Sequence, residues 1–373
     1  MWNNLKLSLN NCLHATDFGI YQQAIFDSAY NLDFNPFITV RNVKILNDHF
    51  DPIFLVASAF VKLFGYSSHT LIIFEFLIVL ASLLLVVYLA KSSQKKLFYF
   101  VSIFLLSKGI LSAVLFPIHT TTWSLLPVFA LFYFFSKSSF KGVLICSILA
   151  MMCREAITFG VLSLSFSYLF MEKRSLKKFL CLLIVSLVFI VFDFYLRPFF
   201  LGSVINYGGG LLSKIFSDPL AILENFKLKD TIKFFLPYII SVFFYIKLKG
   251  FKYVREDKVV IAGFFYLGPL VVMHVLANNF HFQYGVLFAA PFLGVMANSS
   301  YWNAISGSKK VQVITSLSFV FISMGSYTKV IKKIVSNNQN KCSSDGIRRR
   351  DTKDLSSELS IRIAKNSTIL SIG

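Results

Sequence analysis

The chain has 373 residues, 56% of them hydrophobic, with 43 phenylalanines and a mean hydropathy of +0.67. A soluble domain cannot bury that much apolar surface, so the expected class is an all-α, polytopic helical membrane protein. The net charge of +19 does not point to a nucleic-acid partner, because Lys and Arg cap oily runs and form no stripe with aromatics. Such a balance fits cytoplasmic loops.

The first 51 residues carry no spanning run, and the stretch "TDFGIYQQAIFDSAYN" within them reads as a short surface helix over 17–30. Thr16 or Asp17 caps it; Phe18, Tyr21, Ile25 and Tyr30 form a partial apolar face, and Gln22, Gln23 and Asp27 stay polar. Asp17 has two readings: a helix cap, or a carboxylate at the bilayer surface acting as general base or metal ligand. In "NDHFDPIF" at 47–54, Asp51 reads as a cap and Pro52 as the first helical position. That explains Asp51 and Pro52 but not His49. Residues 52–65 are too short to cross about 30 Å of hydrocarbon at about 1.5 Å per residue.

Apolar runs then predict spans near 69–90, 97–116, 121–136, 179–200, 233–247, 259–277, 284–300 and 311–328. Residues 141–170 are interrupted by Cys153-Arg154-Glu155. They form either one long tilted span or two short helices that turn at Arg154-Glu155. The expected organisation is an outer segment at 1–51, a multi-span domain at 52–328 and a polar tail at 329–373. Cys146, Cys153 and Cys181 lie in apolar runs and read as small core residues, whereas Cys12 and Cys342 are in polar segments. No spacing of Cys and His matches a zinc site. There is no signal-peptide pattern at the start, so insertion is expected to rely on internal spans.

Basic residues set the orientation. They crowd "KSSQKK" at 91–96, Lys137 with Lys141, "EKRSLKK" at 172–178, "KLKGFKYVREDK" at 247–258 and Lys309-Lys310, while "FPIHTTT" and "NNFHFQ" carry none. With the basic loops in the cytoplasm, the unusual polar residues fall at the outer ends of spans. They are Asp17, Asp48, His49, His119, Arg154, Glu155, Asp193, Arg197, Asn206, His274 and His281. An intramembrane charge costs at least about 2.5–3.5 kcal/mol, so this one-sided gathering predicts a polar cavity opening outward. Arg154 offers fixed donors suited to a phosphate; Glu155 suits a metal or a hydroxyl. Asp193 and Arg197 stand one turn apart and are expected to pair structurally. A histidine such as His119 in a turn is ordinarily solvated. His281, Gln283 and Tyr284 sit at a span mouth, where Tyr284 also suits an interface anchor. "INYGGGLL" lacks the strand, lysine and spacing of a phosphate loop, and no nucleotide fingerprint, serine-histidine-acid set or HExxH is present.

The blocks "TDFGIYQQAIFD", "NDHFDPIFL", "FPIHTTTWSLLPVFALFYF", "CREAITFGVLSL" and "HFQYGVLFAAPFL" occur in the order of a bacterial and archaeal family of predicted membrane proteins. Across residues 16–300 the chain resembles that family, labelled domain of unknown function, number two thousand and seventy-nine. The family is in turn similar to GT-C glycosyltransferases, which use polyprenyl-phosphate sugars. "DPIFLVASAFVKLFGYSSHTLIIFEFLIVLASLLLVVYLA" echoes their proline-led short helix, Leu-Phe-Gly turn and following span. The resemblance implies a GT-C-like bundle of about 8–11 spans or re-entrant helices. It also implies sugar transfer from a lipid-linked donor to an envelope acceptor at the outer face of the cell membrane. Asp17 matches the catalytic acid. Asp48, His49, His119, Arg154, Glu155, His281 and Tyr284 are the substrate-binding candidates, and Asp17 and Glu155 the candidates for a divalent metal. Two features depart from the family. Only sixteen residues precede Asp17, where a spanning helix is expected, and His119 follows "FPI" where the family has Asp-Phe. The competing readings are a transporter or flippase-like carrier using the same cavity, and an inactive fragment truncated at both ends.

Overall fold

The structure is a computed structural model that describes residues 15–39, 41–116, 118–171, 175–201, 228–277 and 282–335. The chain divides into two units, Met1–Val330 and Ile331–Gly373. Asn206, His281, Cys12, Cys342 and the "INYGGGLL" loop lie outside the described residues.

The architecture is helical. Helix α1 (Ala15–Asn31) extends the predicted 17–30 segment by two residues at the start and one at the end. Its Phe18, Tyr21, Ala24, Ile25 and Ala29 are buried, a stripe at helical spacing that packs on α2 (Phe54–Phe64). Tyr30, expected on that face, is instead 77% exposed. It sits about one helical step round from the stripe and rests against Tyr66. Between α1 and α2 a two-residue hairpin, β1 (Phe37–Ile38) with β2 (Val43–Lys44), pairs Phe37 with Lys44 and Ile38 with Val43.

Gly65 ends α2 at φ +105°, a conformation that side chains disfavour. Two residues on, Ser67 caps α3 (Ser68–Ala90), its side chain accepting from Thr70 N at 3.1 Å. Helix α3 and the 26-residue stretch Leu176–Leu201 are long and apolar enough to cross a membrane unaided. That stretch is α9 (Leu176–Val191), a π turn over Phe192–Leu196 and a last helical turn. The expected Asp193–Arg197 pair is present at 3.0 Å, and the π turn falls where these two charges enter the helix.

Two predicted continuous spans are in fact broken, and 141–170 takes the second of its two expected forms. Residues 97–116 form α4 (Gln94–Leu106) and α5 (Lys108–Leu115), bent by 51° because the buried Ser107 adopts extended backbone at ψ 117°. The 121–136 run is a helical turn, Thr120–Trp123, followed by α6 (Leu125–Ser136). Residues 141–170 form two helices, α7 (Phe140–Met151) and α8 (Glu155–Phe170). The remaining long elements are α10 (Leu228–Lys249), α11 (Lys258–Ala277), α12 (Val286–Asn298) and α13 (Lys309–Val335). Helix α8 packs on α9 and α11, and α6 on α7 and α12.

Helix α5 meets the turn Phe282–Gly285 ahead of α12 through two glycines. A Cβ on Gly109 would run into the Gly285 carbonyl, and a Cβ on Gly285 would come within 2.8 Å of Gly109 Cα. Backbone stands against backbone here, so neither side can yield by changing rotamer. Gly19, in α1, has nothing within 4 Å of the same position. Gly109→Ala should therefore destabilise the chain by about 1–3 kcal/mol. Gly19→Ala should be neutral or stabilising by about 0.5–1 kcal/mol, since alanine loses less backbone entropy in a helix. Thermal unfolding in detergent would check the pair, and equal midpoints would contradict the packing argument.

Candidate polar site

Four interruptions in the helices converge here: the loop 49–53 and the loop 116–124 meet α1 at Tyr21, and the break at 152–154 and the turn 282–285 join them through Arg154 and Tyr284. The first polar group there is Asp51, fully buried. Its Oδ2 accepts from the Tyr21 hydroxyl at 2.5 Å and from Thr120 Oγ1 at 2.8 Å. The two hydroxyls are 3.1 Å apart. Among the described residues nothing hydrogen-bonds Asp51 Oδ1. Burial pushes the carboxyl up, against the opposing pull of His49, the Tyr21 hydrogen bond and Arg154. The sequence reading of Asp51 as a cap is therefore corrected: α2 starts at Phe54 after Ile53, with no side-chain cap. The Asp51 side chain turns inward to α1 instead.

The second group is a relay. Arg154 Nη2 donates to His49 Nε2 at 3.2 Å, and His49 Nδ1 stands 2.9 Å from Glu155 Oε1. Arginine has no lone pair to offer, so Nε2 must be the acceptor and Nδ1 carries the proton toward Glu155. Arg154 Nη2 also donates to the Tyr284 hydroxyl at 3.3 Å, and the guanidinium lies 5.5 Å from that ring's centroid. Its Nη1 is buried, with no hydrogen-bond partner among the described residues.

Neighbours in sequence diverge on a helix, so Arg154 and Glu155 would ordinarily face different partners. They share His49 instead, and Arg154 Nε is 3.7 Å from Glu155 Oε2. The cause is local. Arg154 is not helical but extended, at φ −164° and ψ 133°. The break also frees the Met152 carbonyl, which accepts from Ile53 N at 3.2 Å. One hydrogen bond thus fastens the loop carrying Asp51 to the break carrying Arg154.

His119 closes the site, and it is buried rather than solvated. Its ring centroid is 5.2 Å from that of Tyr21 and 6.3 Å from that of Tyr284. It caps the turn Thr120–Trp123, with Nδ1 accepting from Thr121 N at 3.3 Å. Burial first, then the Arg154 charge, holds the imidazole well below its ordinary value. The residue before it, Ile118, sits at φ +59°, a strained conformation for a β-branched side chain that costs about 1–3 kcal/mol. Glu75, inside α3, secures this loop: its Oε2 accepts from His119 N at 3.1 Å and from Trp123 Nε1 at 3.2 Å.

The structure thus brings His49, His119, Arg154, Glu155 and Tyr284 together. Asp48 sits one residue away in the turn Ile45–Asp48, where it faces Arg41 at 3.8 Å. Asp17 lies in the first turn of α1, four residues before Tyr21 and so on the same helical face by register; its side chain is outside the described residues, as is that of His274. Sequence reasoning did not single out Thr120 or Glu75, read Asp51 as a cap, and read Tyr21 only as apolar surface. Among the described residues no three His, Cys, Asp or Glu side chains are grouped to hold a metal.

Two outcomes follow for stability. Tyr21→Phe removes one of the two donors to a buried carboxylate oxygen and should cost about 1–3 kcal/mol, read as a lowered unfolding midpoint. For His119, whose proton affinity is depressed from 6.5 in the folded chain, both states are neutral above that pH. Below it only the unfolded chain takes up a proton, so His119 favours unfolding as pH falls, by up to about 1.4 kcal/mol per pH unit. Asp51 acts in the opposite sense, so the quantity to measure is the difference between wild type and His119→Asn. That difference should turn against wild type below pH 6.5, and a constant difference would refute the assignment.

A family model described as predicted membrane protein (DUF2079) matches residues 11–253. The match takes in α1 through α10 and all of the site except Tyr284. No curated protein and no solved structure matches the chain. With the match covering well over half of its length, the chain belongs to the DUF2079 family of predicted membrane proteins.

Proposed function

We propose that the protein is an integral membrane glycosyltransferase of the GT-C type. It moves a sugar from a polyprenyl-phosphate donor to an envelope acceptor at the outer face of the cell membrane. The observation that carries this reading is Arg154, a buried guanidinium whose Nη1 has no partner among the described residues, at a break between apolar helices. A buried cation with unsatisfied donors favours an anion, and the planar fork of arginine matches phosphate oxygens. A lipid-borne phosphate is an anion that reaches such a place along the membrane.

In this reading the acceptor hydroxyl attacks the anomeric carbon of the sugar and loses its proton to Asp17, the general base. The bond from that carbon to the phosphate oxygen breaks, and the charge developing on the leaving phosphate is stabilised by Arg154. The relay through His49 to Glu155 fixes the guanidinium before substrate arrives, which limits reorganisation during the reaction. His119 and Tyr284 wall the sugar, Asp48 and His281 extend the binding surface, and a divalent metal is compatible with Asp17 and Glu155. Support for the outer-face location is the basic-loop pattern, since the site lies at the ends of α6 and α8 away from Lys137 and Lys178.

Mass spectrometry of envelope glycans would test this in a strain lacking the gene, restored with wild type, Asp17→Asn or Arg154→Gln. Deletion should remove one sugar and wild type should restore it. Asp17→Asn should leave it absent, and Arg154→Gln should reduce it by about a hundredfold or more. Full restoration by Asp17→Asn would end the case for that base and favour the carrier reading.

A further inference from the structure

Helices α6 and α8 both begin at the polar site and run away from it; α8, with 16 residues, spans about 24 Å. At their far ends lies a second feature. A cavity of about 1220 Å³ opens between the ends of α6 and α8, the start of α9, the turn Phe251–Glu256 and the start of α11. Its volume exceeds the roughly 300–1,000 Å³ of ordinary small-molecule sites.

The lining is divided by chemistry. The wall is aromatic, from Phe135, Tyr168, Phe170 and Phe265, with Phe135 and Tyr168 buried. Lys178, Arg255 and Lys258 also line it, against a single carboxylate among the described lining residues, Glu256. The neighbouring Asp257 carboxylate turns to Ser300 N at 2.8 Å and Val259 N at 3.0 Å, and even with its charge counted the described groups stay net positive. Two of the cations are already positioned. Lys258 Nζ donates to Ser138 Oγ at 2.9 Å, and Lys178 Nζ lies 5.8 Å from the Tyr168 ring centroid. The three cations come from two of the basic loops assigned to the cytoplasm, and Ser138 brings in a third. The cavity therefore faces the leaflet where anionic lipids concentrate.

We propose that this cavity is a binding site for an anionic phospholipid of the cytoplasmic leaflet. The headgroup phosphate lies between Lys178, Arg255 and Lys258, and an acyl chain lies along the aromatic wall. A free phosphate would use the same cations but would leave the wall empty. The site is separate from the proposed transfer site and does not rest on it.

The test uses the full chain in detergent, with retained lipid read by native mass spectrometry after incubation with phosphatidylglycerol or phosphatidylcholine. The variant carries Lys178→Gln, Arg255→Gln and Lys258→Gln. A control carries Lys95→Gln, Lys309→Gln and Lys310→Gln, which removes equal charge outside the cavity. Wild type and control should retain phosphatidylglycerol over phosphatidylcholine. The cavity variant should bind phosphatidylglycerol at least about tenfold more weakly, as expected for three basic groups near an anionic headgroup. Arg255 is exposed, so Arg255→Gln alone keeps the test readable if the triple variant does not fold; it should weaken retention in the same direction. Equal retention by the cavity variants and the control would overturn the proposal. So would equal retention of the two lipids by wild type, or displacement of phosphatidylglycerol by inorganic phosphate alone.

Discussion

A buried guanidinium constrains its surroundings more than any apolar contact can, because an unpaired charge inside a bundle of oily helices costs several kcal/mol. Arg154 is placed in that position by the chain itself, at a point where α7 and α8 are interrupted. Much of the local architecture follows. His49 must come from the loop before α2 to accept one hydrogen bond, and Glu155 must lie beside it to hold the imidazole. Tyr284 must arrive from the turn before α12. Two segments distant in sequence are bound to one cation, and the break that carries it also hands a free carbonyl to the loop of His49.

Around this centre the polar groups fall into two neighbouring sets with different chemistry. The Arg154 set is charged and tied by donors from a cation. The Asp51 set consists of a carboxylate held by two hydroxyls from α1 and the 116–124 loop. His119 lies between them, in ring contact with Tyr21 on one side and Tyr284 on the other.

The sequence was a good guide where one force dominated. The helix now seen at Ala15–Asn31 was legible because its buried residues recur at helical spacing, and the long spans because apolar residues ran without interruption. The Asp193–Arg197 pair was legible because one turn separates the two charges. The failures occurred where two local rules competed. Asp51 before Pro52 matches a helix start so well that the tertiary role was hidden: the carboxylate is claimed by Tyr21, thirty residues earlier, and nothing local signals that. Glu75 sits within a run read only for its length, and its partners belong to a loop more than forty residues away. The bend at Ser107 was missed because hydropathy averages over a single backbone torsion. The full burial of His119 was not legible because a histidine in a short turn is ordinarily solvated, whereas here three aromatic neighbours and Arg154 enclose it.

The contact between Gly109 and Gly285 also bears on the dimensions of the site. Tyr284 immediately precedes Gly285, so the distance from its hydroxyl to Arg154 is set by how far α5 lets that turn advance. Two missing side chains act as a spacer gauge whose thickness is one hydrogen atom on each side. A change at either position would shift the aromatic wall relative to the cation while leaving every polar residue in place. The spacing of Tyr284 from Arg154 is thus encoded in two residues that carry no functional group.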